Sequence, residues 1–108
     1  MGTVYLITND YIDFKIGITS KPIEKRLKQL QTGNSEKIKL VKCYKTKNYK
    51  MMEGWLHRKF FDKRLEGEWF SLNDSDVLSF IETCEEIDKT INLLKEENHF
   101  FRNHPIQT

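Results

Sequence analysis

Two short runs rich in β-branched and aromatic residues, Val4-Tyr5-Leu6-Ile7 and Phe14-Lys15-Ile16-Gly17-Ile18, are separated by Asn9-Asp10 and Asp13. Such runs joined by turn-forming residues predict an antiparallel β-hairpin. Side chains alternate across a strand, so Val4, Leu6, Phe14, Ile16 and Ile18 are expected to face one core. Tyr5, Lys15 and Gly17 then share the opposite, polar face. The bare Gly17 leaves room there for something to approach the backbone.

The rest of the chain supplies partners for the hairpin. Pro22 suits a first helical position, and Ile23, Leu27 and Leu30 recur at helical spacing until Gly33-Asn34 offers a stop. Arg26 falls on the shoulder of that helix, able to border the core and still reach out. Residues 38–44 alternate apolar and basic, which predicts a third strand with one wet face. A second helix is expected from near Asn48 to Phe61. Gly67-Glu68-Trp69-Phe70 reads as a turn followed by two aromatics that plug the core.

Asn73 or Asp74 then caps a long third helix, in which Val77, Phe80, Cys84, Ile87, Ile91 and Leu94 step by three and four. That stripe is longer than a small domain needs, so it predicts packing on the sheet or on a partner chain, a homodimer included. The fold class is therefore α+β, a small three-stranded antiparallel sheet flanked by helices with a long C-terminal helix. Residues 1–73 form the core, 74–97 the helix and 98–108 a tail with no readable periodicity.

The 108 residues fit one domain. No apolar run approaches the roughly 20 residues that span a bilayer, and no signal-peptide pattern opens the chain. Cys43 and Cys84 lack zinc-ligand spacing and are expected as buried thiols of a soluble, intracellular protein. A net charge of +2 conceals strong segregation. From Lys15 to Arg64 there are fifteen Lys and Arg against four acids; from Leu65 onward three bases face ten acids. A basic half of this strength is the footprint of a phosphate-backbone partner, or else a solvated surface balanced by an acidic helix.

The order Thr3-Val4-Tyr5, Lys15-Ile16-Gly17, Glu24-Lys25-Arg26, Glu53, and then Leu56-His57 before Gly67-Glu68-Trp69-Phe70 resembles the GIY-YIG nuclease superfamily. The likeness is greatest to the branch carried by phages and large DNA viruses. It spans residues 3–70 and departs from the namesake motifs twice, with Thr3-Val4 replacing Gly-Ile and Lys15 replacing the second tyrosine.

What the resemblance implies is an endonuclease that hydrolyses nucleic-acid phosphodiester bonds, DNA first among them, with magnesium or manganese as cofactor. A viral, phage-like or mobile-element setting goes with that branch. By the same resemblance Tyr5 activates water, Arg26 holds phosphate and offsets transition-state charge, and Glu53 binds the metal. Lys15 and Arg26 are expected to draw the Tyr5 phenol toward phenolate. Lys15 is equally well read as a phosphate contact. His57, one turn after Glu53, is a site-edge residue that shares a ligand with it or bonds to it.

Lys15, Gly17, Lys21, Lys25, Arg26 and Lys28 are the candidate nucleic-acid contacts. Glu68 and Trp69 read as packing, and Asn73 is the candidate for the superfamily's late asparagine. A single domain leaves no room for a DNA-reading module, so low intrinsic sequence specificity is expected. The alternative is a binding module of the same fold whose cutting is weakened by the loss of the second tyrosine.

Overall fold

The computed structural model describes residues 1–10 and 12–103, with side chains through residue 97. The hairpin is present: β1 (Gly2–Thr8) and β2 (Phe14–Thr19) pair antiparallel, with Tyr5 opposite Gly17 and Leu6 opposite Ile16. Its connection is held by Asp10, whose Oδ1 accepts the amides of Ile12 and Asp13 at 2.9 Å each. Thr8 Oγ1 donates to the Asp13 carbonyl at 2.7 Å. The turn residues thus work through their side chains, as their chemistry predicts.

Helix α1 (Ile23–Thr32) follows, then β3 (Lys39–Thr46), which pairs antiparallel with the other edge of β1. A bulge between Leu6 and Ile7 leaves Val41 as the extra residue of β3. Helix α2 (Tyr49–Lys59) leads through a short 3₁₀ turn to β4 (Trp69–Phe70). Strand β4 pairs with β2, giving a sheet of order β3-β1-β2-β4. The sheet therefore has four strands rather than three. The Trp69-Phe70 pair does enter the core through Phe70, but as an edge strand entered by a turn in which Gly67 adopts φ 61°.

The single C-terminal helix of the sequence reading is two, α3 (Asp74–Leu78) and α4 (Phe80–Asn103). They part at Ser79, whose hydroxyl donates to the Ser75 carbonyl at 2.7 Å, and Phe80 after it is buried. Asn73 caps α3 reciprocally with Asp76, which accounts for this asparagine without a site role.

Two cores lie on opposite faces of the sheet. On one face Val4, Leu6, Phe14 and Ile16 meet Met52 and Leu56 of α2 and Phe80, Cys84, Ile87 and Ile91 of α4. Four members of the long stripe are thus consumed within the chain, and Leu94, at 43% exposed, lies beyond the packed part. This packing gives a homodimer no support. The aromatic residues Phe100 and Phe101 of the tail have side chains outside the described residues.

On the other face Tyr5, Ile7 and Ile38 pack under Ile23, Leu27 and Leu30 of α1. The face expected to be polar is therefore half covered, and β1 is buried along its whole length. Cys43 is exposed rather than buried, because β3 is an edge strand, while Cys84 is buried as expected. Among the described residues no helix is long and apolar enough to cross a membrane.

Candidate functional site

Tyr5 projects from the centre of β1 toward α1, and its ring lies over Gly17 of the neighbouring strand. A Cβ built on Gly17 would stand 2.5 Å from the ring carbon Cζ of Tyr5. The room that the glycine leaves is thus filled by the phenol, not left open to an incoming backbone. From the first turns of α1 the half-buried Arg26 donates through Nε to the Tyr5 oxygen at 3.4 Å. Its Nη1 donates to Gln29 Oε1 at 3.5 Å, which steadies the guanidinium beside the ring.

Burial pushes the Tyr5 phenol above its ordinary value, and the carboxylates of Glu68 and Glu53 add to this; Arg26 pulls the other way by hydrogen bond and charge but does not prevail. The expectation that Lys15 and Arg26 together draw Tyr5 toward phenolate is thus overturned. The chief reason is burial of the ring; Lys15, whose ammonium is paired with Glu68 at 3.4 Å, is not among the groups that lower the phenol.

Glu53 enters from α2, half-buried. Burial raises its carboxyl above the usual range, helped by Glu68, while His57, Lys15 and Arg26 oppose the rise. The four charged groups around Tyr5, namely Lys15, Arg26, Glu53 and Glu68, are close enough to act on one another through a partly dry interior, where such interactions are strongest. Glu68 is the residue that sequence reasoning assigned to packing. Its carbonyl accepts the Ile16 amide at 3.3 Å, and the pairing of Lys15 with Trp69 carries its carboxylate to Lys15.

His57 does not bond to Glu53. Its Nε2 lies 3.1 Å from the Ile16 carbonyl, and its ring meets Phe70 edge-on with centroids 5.0 Å apart. A carbonyl only accepts, so Nε2 carries the proton. The imidazole thereby fixes α2 to β2 at the height of Glu53. Lys25 and Lys28 are exposed on α1, and Lys21 is exposed just before it.

The donor chemistry around Glu53 fits a hard divalent cation. It offers a desolvated carboxylate whose charge is further disfavoured by Glu68 nearby, which a cation relieves. Among the described residues no group of three or more His, Cys, Asp and Glu forms a protein-only cage. Water and substrate phosphate would complete the shell, as is usual for magnesium.

Comparison with curated proteins found no match, and neither did comparison with solved structures. A family profile, that of the T5orf172 domain, does match, over residues 2–95. That span takes in every strand, the cluster around Tyr5 and most of α4, so the chain belongs to the T5orf172 domain family, a domain found in phage and in proteins related to GIY-YIG nucleases.

Proposed function

We propose that the chain is a metal-dependent endonuclease that hydrolyses phosphodiester bonds, with DNA as first substrate and low intrinsic sequence specificity. The observation that carries this reading is the convergence of the fully buried Tyr5 of β1 with the half-buried Arg26 of α1 and Glu53 of α2. In this reading the Tyr5 oxygen, as phenolate, takes a proton from the attacking water, its own proton having passed to a water admitted with the substrate. Arg26 stabilises the phenolate and then the charge that gathers on the phosphoryl oxygens. Glu53 holds magnesium or manganese, which when bound supplies charge stabilisation for the departing oxygen. His57 positions α2 through the Ile16 carbonyl. Lys15, Lys21, Lys25 and Lys28 grip the backbone without reading bases. Family membership favours a phage-like setting.

A second reading, a binding module with weakened cleavage, is favoured by one observation. Lys15 stands where the superfamily's second tyrosine would, and its charge is engaged by Glu68. The Glu53→Ala variant separates the two. An enzyme loses plasmid nicking in magnesium while keeping salt-sensitive DNA binding; a binding module shows no nicking in the wild type under magnesium or manganese.

A further inference from the structure

The turn that leads into β4 is closed at every step. The Leu65 amide donates to the Trp69 carbonyl at 2.8 Å, the Trp69 amide to the Glu66 carbonyl at 3.1 Å, and Arg64 Nε to the Gly67 carbonyl at 2.8 Å. Gly67 turns the chain at φ 61° with nothing within 4 Å of where a Cβ would stand, so it serves the backbone conformation and not a close contact. The residue that this turn presents is Glu68, whose own carbonyl is held by the Ile16 amide at 3.3 Å.

Ile16 is held from its other side as well, since its carbonyl accepts from His57 Nε2 at 3.1 Å. One residue of β2 thus ties the Glu68 turn to α2, the helix that carries Glu53. Beside it stands Lys15, whose side chain is only 19% exposed and whose ammonium lies 3.4 Å from the Glu68 carboxylate. Among the described residues Glu68 is the only acid within ion-pair distance of Lys15. The charge of Glu68 is felt by both Tyr5 and Glu53, and that of Lys15 by Glu53, so the pair belongs to this site.

A lysine carries a compact charge on a flexible four-carbon stem, and burial of the stem does not aim the charge. A carboxylate on a fixed backbone does. The ammonium has three N–H donors, so it can keep one on Glu68 and still give others to a phosphoryl oxygen. The pair is half-exposed on the acid's side and adds little to folding; what it adds is orientation.

We propose that Glu68 is a positioning residue of the nuclease site, which holds the Lys15 ammonium beside Tyr5 and Glu53 and aims it at the phosphoryl group under attack. That role rests on the nuclease reading given above, while the hold on Lys15 stands on the geometry. The same carboxylate repels an incoming phosphate. Its removal therefore improves binding and worsens turnover, the opposite of what a merely structural residue would do.

Steady-state nicking of plasmid in magnesium tests this through a cycle of wild type, Glu68→Gln, Lys15→Met and the double variant, all in the full chain. Glu68→Gln should lower kcat about tenfold and lower KM, with the melting temperature nearly unchanged. In the Lys15→Met background the same change should leave kcat where it is, because nothing remains to be aimed. An unchanged kcat in Glu68→Gln, or an equal loss in both backgrounds, overturns the proposal. A second measurement does not depend on cleavage: ¹⁵N relaxation of the Lys15 ammonium should report a restrained group in the wild type and a freely moving one in Glu68→Gln. An ammonium equally mobile in both overturns the proposal as well. A wild type that never nicks, yet shows the restraint and its loss, contradicts the nuclease reading and leaves Glu68 as the residue that positions Lys15.

Discussion

The phenol of Tyr5 occupies the volume that any side chain at Gly17 would need, with Cζ 2.5 Å from the position of a Cβ. Tyr5 is fully buried, so its ring has little space into which to retreat. Gly17→Ala is predicted to cost about 1 to 3 kcal/mol by overpacking and to move the phenol off Arg26. Denaturant titration and nicking rates on the same preparation check both effects. Wild-type stability and rate in this variant would show that the ring is not confined by Gly17.

Alkaline stability follows from two tyrosines. Tyr5 is raised above the ordinary phenol value, and Tyr44 is pushed up to about 12 by burial and by its hydrogen bond to Asp88. The folded state therefore keeps protons that the unfolded chain loses near pH 10. The stability they contribute is complete below about pH 10 and is lost as pH rises through the folded values. Tyr44→Phe is expected to flatten the fall between pH 10 and 12 in a series of denaturation midpoints.

The acid side is governed by Asp88, the link between α4 and the end of β3. Its carboxylate accepts from Tyr44 at 2.9 Å, Thr46 at 2.9 Å and Asn48 at 2.7 Å. Burial works against the charged form, but these donors prevail and hold Asp88 below the usual carboxylate range. Its stabilisation is present above about pH 4 and is lost as pH falls through the depressed value. Asp88→Asn is predicted to lower stability by about 2 kcal/mol at neutral pH and to reduce the acid-side slope.

Much of this was legible in the sequence, and the misses share one cause. The hairpin and α1 are local: Asp10 turns its own loop, and Ile23, Leu27 and Leu30 keep helical period. Tyr5, Arg26 and Glu53 could be grouped as candidates because their order along the chain is itself a pattern. Strand β4 escaped because two residues have no periodicity, and only its pairing with β2 makes it a strand. Glu68 escaped with it, since nothing local says that residue 68 will face Lys15. The direction of the Tyr5 shift was misread for a similar reason. Alternation predicts which face Tyr5 takes, but not that α1 buries that face or that Glu68 engages Lys15.

Releasing Lys15 should be informative. The pair with Glu68 is half-exposed on the acid's side, so its worth to folding is under about 1 kcal/mol. Glu68→Gln is expected to leave stability nearly unchanged and to raise affinity for a short duplex about three- to tenfold at low salt, read by fluorescence anisotropy. Removing that charge also lowers the Glu53 carboxyl, so the acid limb of any pH–rate profile should move to lower pH. Unchanged affinity would mean that Lys15 makes no contact with phosphate.

The most direct test of the central claim is nicking of supercoiled plasmid in magnesium or manganese by wild type and Tyr5→Phe. Phenylalanine keeps the ring over Gly17 and removes only the oxygen that Arg26 holds. Cleavage by the wild type that falls at least a hundredfold in Tyr5→Phe, with the melting temperature preserved, is the predicted result. A folded Tyr5→Phe that nicks as fast as the wild type would contradict it.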